Sequence, residues 1–401
     1  MIVNFALLQE LFRAFHIQRW NDRLRPMELI EMDKHAHKMI IAYCLGKYEE
    51  SKGNKVNWIE IINGGIYELL RRIIISDIKS PIYNEIRKNK DVFVKLNKFI
   101  FDELNQKIDS KIILDELQEF LFLEKPSTSI STRILEAAHI FASFWEFQII
   151  KQANPQSYQN VRIETELLNQ INSFSDLEGL GKLTHRHTIY NFIDLCGQLR
   201  FQYRWAQLPR VPKTSVLGHV LMVACLSYFF SRDNDACEKR LYNNFFGGLF
   251  HDLPEAVTRD IISPVKESSK DFELLIKSLE FELAEAEIFP LVDESWVPEL
   301  KYFTHEEFNN KIIQNGELIS NDISIQDINL KYNTANYNPY DGEIVRAADH
   351  LSAFLEVWNS CISGITTGEL SDAAKKIKGM YKDKALGKIE LKMIYSSFYT
   401  I

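Results

Sequence analysis

Apolar residues recur at intervals of three and four along most of the chain, as in Leu221, Ala224, Cys225 and Tyr228, or in Leu351, Phe354, Leu355 and Trp358. That spacing keeps one face of a helix apolar, so each such run predicts a helix packed on a core. Strict alternation over the length of a strand is scarce, and Gly and Pro fall between the periodic runs. The pattern predicts an all-α fold. No apolar run approaches the roughly 20 residues that span a bilayer.

The pattern also repeats. Gly64–Ile82 aligns without a gap on Gly247–Val265 with seven identities in nineteen: both glycines, Leu70/Leu253, Asp77/Asp260, Ile78/Ile261, Ser80/Ser263 and Pro81/Pro264. Average residue usage would give roughly one. Other landmarks keep the same order. Arg19-Trp20 precedes the first stretch as Arg204-Trp205 precedes the second, and HKMIIA from His37 parallels HVLMVA from His219, with His35 as an alternative counterpart. Downstream, RILEAAHIFASF from Arg133 parallels EIVRAADHLSAF from Glu343, which sets His139 opposite Asp349. A tandem pair of helical units is expected, residues 1–160 and 175–401. The second carries extra length around 305–342, including a polar stretch that predicts a surface excursion or lid.

Composition narrows the setting. A chain of 401 residues with 46% hydrophobic and 25% charged residues can bury sizeable cores. Its net charge of -8 argues against coating extended nucleic acid through the phosphates. The five cysteines are scattered and never spaced as CxxC, which suits structural thiols in a reducing compartment. The first residues, MIVNFALLQE, lack a basic stretch before their apolar ones and do not read as a signal peptide. The expectation is a cytoplasmic protein without membrane attachment.

Four potential metal ligands stand within apolar helical runs of the second half: His219, the adjacent His251-Asp252, and Asp349. Burying such groups without partners is costly. A lone buried histidine is more often hydrogen-bonded in a core, but the combination is specific. Imidazoles with carboxylates make a mixed nitrogen and oxygen set suited to Mn, Fe, Co, Ni or Zn. His251 and Asp252 point about 100° apart on a helix, so both reach one ion only if it sits between their directions, leaving positions for water and a phosphate oxygen.

The order His219, His251-Asp252, Asp349 resembles the HD-domain metal-dependent phosphohydrolases, an all-helical superfamily. Within it, RWAQLPRVPKTSVLGH (204–219), HDLPEAVTRDIISPVK (251–266) and RAADHLSAFLE (346–356) are most similar to the bacterial HD-domain 5'-deoxynucleotidases. The resemblance implies one divalent ion, Mn, Co, Fe, Ni, Zn or Mg, held by His219, His251, Asp252 and Asp349. It implies that Glu255 activates or positions the attacking water and that Asp260 lies near the scissile phosphate and sugar. Arg204 and Lys266 match basic positions near the phosphate, and Trp205 an aromatic that shapes the sugar pocket. Each has a plainer reading: Glu255 and Arg204 as solvated charges, Trp205 as core, Asp260 as a cap, the last favoured because Asp77 persists in the first half.

In that half Glu68-Leu69 replaces His-Asp, Arg72 stands at the Glu255 position and His139 at that of Asp349. Leucine offers no lone pair and arginine repels a cation, so this half is expected to resemble an HD domain without the metal motif. It could replace a dimer partner, giving a monomer with an internal pseudo-dimer, or a homodimer could form; a site relocated to His35, His37, Glu68 and His139 is the alternative. Arg19, Arg71 and Arg72 leave a ligand-sensing role open. The expected activity is release of phosphate from small nucleotide substrates, nucleoside and in particular deoxynucleoside 5'-monophosphates. Hydrolysis of a nucleoside triphosphate or signalling nucleotide is the enzymatic alternative, and a non-catalytic nucleotide sensor or scaffold the alternative of another class.

Overall fold

The computed structural model describes residues 1–76, 78–122, 128–259 and 269–399. Its architecture is helical, as expected. Among the described residues the only sheets are two small antiparallel pairs: β1 (Ile312–Gln314) with β2 (Glu317–Ile319), and β3 (Ala385–Leu386) with β4 (Ile389–Glu390). No described helix is long and apolar enough to cross a membrane.

Six helices organise the molecule: α1 (Glu31–Ser51), α2 (Trp58–Ile74), α3 (Ile130–Ala153), α4 (Val216–Asp233), α5 (Glu238–Phe250) and α6 (Gly342–Ile362). Helices α1 and α4 are buried on nearly every side for most of their length. A helix enclosed on all sides has no solvated face, which is why the apolar period is clearer in α2 and α6 than in these two. Helix α1 buries Asp33, Lys34, His35, His37 and Lys38 as well as its apolar residues, so its interior is a network of polar contacts. The start of α4 is capped by Ser215, whose Oγ accepts from the Gly218 amide at 2.9 Å and donates to Asp33 Oδ1 at 2.5 Å. This ties α4 to α1 at their crossing, and buried apolar residues from both halves of the chain form one continuous core.

Two glycine pairs explain part of the sequence repeat. A Cβ on Gly248 would stand 2.9 Å from Ala224 Cα and 3.0 Å from Ala224 N, so α4 and α5 touch backbone to backbone there. On α2 a Cβ on Gly65 would run into the Met39 sulfur of α1. Each pair lets two helices approach closely.

The polar stretch before α6 is an ordered excursion. Lys311 and Tyr340 pair at its base, and the Tyr340 hydroxyl donates to the Glu307 carbonyl at 2.6 Å. Buried Arg240 of α5 grips Asp341 with two bonds of 2.6 and 2.8 Å. Asn243 donates to the Pro339 carbonyl and the Cys237 amide to Asn333 Oδ1, so the excursion is fastened along α5.

Candidate metal centre

The three chain segments of the motif converge on one point. His219, fourth residue of α4, is fully buried. Its Nδ1 lies 3.1 Å from Glu356 Oε1 and 3.0 Å from Ser352 Oγ, both on α6. A carboxylate only accepts, so Nδ1 carries the hydrogen and Nε2 keeps its lone pair. His251, at the end of α5, repeats the arrangement: its Nδ1–H donates to the Gly248 carbonyl at 2.9 Å. Neither Nε2 atom makes a hydrogen bond among the described residues, although both are buried. Each Nε2 instead stands against a carboxylate oxygen, His219 at 2.9 Å from Asp349 and His251 at 3.2 Å from Asp252, a grouping of donor atoms that a metal ion would complete.

Carboxylates surround that place. One ligand atom each from His219, His251 and Asp252 falls within 4.8 Å of the others. Asp252 Oδ2 is 3.2 Å from His251 Nε2 and 3.9 Å from His219 Nε2. Asp349 Oδ1 is 2.9 Å from His219 Nε2 but lies outside the set drawn by the 4.8 Å criterion. Three of the four expected ligands therefore cluster, with the fourth against one of them. The donor set suits a divalent ion with mixed nitrogen and oxygen ligands.

The field of the site favours positive charge. Burial alone would lower the His251 imidazole, but Asp252 beside it outweighs burial and holds it up at about 9. Burial likewise opposes charge on Asp252, yet His251, His219 and Arg204 hold its carboxyl well below the usual range. Asp349 is held down against burial by His219 and Arg204, and Glu356 by Arg204, His219 and Arg210.

The substrate residues expected from the sequence are partly assembled. Arg204 has Nη1 3.7 Å from Asp252, Nη2 3.8 Å from Asp349 and Nε 3.4 Å from Glu356. Trp205, at φ +56°, donates its indole N–H to Glu356 Oε2 at 2.8 Å. Its polar edge is thus spent on holding Glu356. Glu255 opens a short helical turn, Glu255–Thr258, and is buried, with its carbonyl accepting from Gln202 Nε2 at 3.0 Å. It is not within the ligand cluster. Asp260 and Lys266 lie outside the described residues.

The sequence reading missed Glu356, which orients His219 and receives Trp205. It stands seven residues after Asp349, two turns on along the same helix. The signal was present: carried a little further without a gap, the alignment of the RILEAAHIFASF stretch pairs Glu356 with Glu146. Phe308, 6.0 Å from the His251 ring and itself under the Arg346 guanidinium, was missed too; nothing in its local pattern marks it.

Contacts of the same kind occur in the first half around different side chains. Trp20, at φ +54°, donates its indole N–H to Glu146 Oε2 at 3.0 Å, and Arg19 Nε reaches the same oxygen at 2.8 Å. Bridges Gln18–Ile30 and Tyr203–Ser215 precede α1 and α4 alike. The register that these contacts set puts Lys34, not His37 or His35, in the fourth helical position that His219 takes in α4. His37 instead bonds the Ile193 carbonyl at 2.9 Å, and His35 Nε2 lies 3.4 Å from Glu31. The similarity of HKMIIA to HVLMVA is an apolar pattern shifted by one turn.

No curated protein and no solved structure matches the chain. A family model does, over the segment that contains His219, His251, Asp252, Glu255, Asp349, Glu356 and Arg204: residues 196–378 match the model described as HD domain.

Proposed function

We propose that the protein releases phosphate from nucleoside 5'-monophosphates, deoxynucleotides among them, at the centre formed by His219, His251, Asp252 and Asp349. The observation that carries this reading is the pair of buried Nε2 atoms, each with its Nδ1 proton committed elsewhere, facing two carboxylates. A divalent ion held by these four residues would supply acidity to a water molecule and compensate charge on the phosphoryl group. Glu255, three residues beyond Asp252, takes the proton from the attacking water. Arg204 is tethered to Glu356 through Nε and turns both Nη groups to the carboxylates of the centre, where an incoming phosphate exchanges with them as its partner. Lys266 and Asp260 keep the phosphate and sugar roles that the resemblance implies.

We infer further that residues 1–160 are a second, altered copy of the same helical unit. The matching positive-φ tryptophans, bonded to glutamates at matching positions on α3 and α6, support this. Its charge-altered centre is not equipped to hold a cation.

The activity is tested by product analysis with Mn²⁺ or Co²⁺ and a panel of ribo- and deoxynucleoside mono-, di- and triphosphates. Orthophosphate from monophosphates is expected, with kcat about 10²–10⁴ lower in Glu255→Gln while its metal content stays that of the parent. Tripolyphosphate from triphosphates would refute the monophosphate assignment and leave the metal centre standing.

A further inference from the structure

A large cavity lies away from the metal centre. It measures about 2180 Å³ and opens in the first half, over α1, α2 and α3. Arg72 and His139 line it, and Lys34 and Leu69 are buried behind them at the positions corresponding to the metal centre. Lys34 Nζ lies 2.6 Å from His139 Nδ1, much as His219 Nε2 lies 2.9 Å from Asp349 Oδ1. Leu69 is buried at the position of Asp252, and Arg72 stands at that of Glu255.

The carboxylates beside Arg19, Arg72 and His139 are matched, while Glu60, Glu119, Glu136 and Glu166 also line the cavity. Glu31 faces Arg19 at 2.8 Å and Arg72 at 3.5 Å. Glu68 takes Lys38 at 2.8 Å and His139 at 2.6 Å. Glu116 is held by Arg232 at 2.8 Å, and Glu146 by Arg19 and Arg200 at 2.8 and 3.0 Å. Arg71 lines the cavity with its guanidinium 5.4 Å from the Tyr83 ring and 5.2 Å from that of Phe120, and it makes no hydrogen bond or ion pair among the described residues. Lys34, behind His139, is pulled down to about 7 by burial, with Glu68 opposing. A cavity lined by an arginine without an ion pair, with Arg72 beside it, can take an anion. Its aromatic wall, Tyr67, Tyr83 and Phe120, adds a surface for a planar or apolar body.

We propose that the first half binds a phosphate-bearing ligand of nucleotide size without hydrolysing it, the phosphate against Arg71, Arg72 and His139 and the base against Tyr83 and Phe120. No carboxylate stands where Glu255 would take a proton from water, and no ligand set holds a metal there, so the phosphoester bond survives binding. The site is independent of catalysis in the second half.

Calorimetric titration of full-length Asp252→Ala protein in EDTA tests it, because chelation and the substitution disable the metal centre and remove turnover. The probes are 5'-AMP, 5'-dAMP, 5'-GMP and inorganic phosphate. One equivalent of a nucleotide should bind, and more weakly for phosphate alone. Adding Arg71→Met, which keeps the contact with both rings and removes the charge, should weaken binding by about tenfold or more, while Arg204→Met should leave it unchanged. No binding by any probe would overturn the proposal, and so would binding that Arg204→Met abolishes and Arg71→Met spares. Neither result bears on whether the second half releases phosphate.

Discussion

At the scale of single residues, the centre depends on which nitrogen of each histidine carries the proton. Glu356 fixes this for His219, and it is itself held by Trp205 and Arg204. Replacing Glu356 by Gln keeps a group that can accept a bond but removes the charge that makes the imidazole a better donor to a cation. Metal affinity should fall about 10- to 100-fold, measured by competition with a chromophoric chelator, with thermal stability changing far less. An unchanged affinity would mean that Glu356 serves Trp205 alone. His219, His251, Asp252 and Asp349 were legible because their residue types and order carry the chemistry. Glu356 was passed over, because a lone glutamate within a helix reads as a solvated charge until the fold shows it fully buried, although the alignment pairs it with Glu146.

At the scale of helices, the glycines conserved between the two stretches are explained by packing rather than by the site. Gly248→Ala places a methyl group 2.9 Å from the backbone of α4. Overpacking of this kind costs about 1–3 kcal/mol, more than the ~1 kcal/mol an alanine gains in helix propensity. The urea midpoint should therefore fall. Gly379→Ala, in the helix Gly368–Met380 with no atom near its added Cβ, should raise it; the same sign for both would contradict the close approach. Helix α1 makes a separate prediction. Burial holds His35 and His37 down at about 3, so the unfolded chain binds protons more readily between the ordinary histidine value of about 6.5 and 3. Stability due to these residues is present above pH 6.5 and is lost as pH falls. Asp33, pushed up by burial to about 7, works the other way between 7 and the ordinary aspartate range. Two groups outweigh one, and below about pH 4.5 the depressed Glu31 and Glu146, paired with arginines against the cost of burial, add to the loss. Urea midpoints should decline steadily from pH 6.5 to 4, and a flat profile would contradict the buried, neutral state of these histidines. The helical class was legible in the sequence from α2 and α6, whose apolar faces are clear. The interior of α1 was not: its charges look like those of a surface helix, and the identity of a histidine with a histidine hid the position that Lys34 takes.

At the scale of the molecule, buried residues from both halves of the chain form one core, and the buried Asp33–Ser215 bond joins α1 to α4. One centre gathers imidazoles and carboxylates, the other lysines, arginines and a carboxylate bound between them. On this account the two differ in the sign of what they attract: a cation in the second half, an anion in the first. The most direct test of the central claim is metal analysis of the full-length protein purified without chelator, beside His251→Ala and Arg72→Ala. The account predicts about one divalent transition-metal ion per chain in the parent and in Arg72→Ala, and none in His251→Ala with its helical spectrum intact. A parent without metal after exposure to Mn²⁺, Co²⁺ and Zn²⁺, or a His251→Ala protein that keeps the ion, would contradict it.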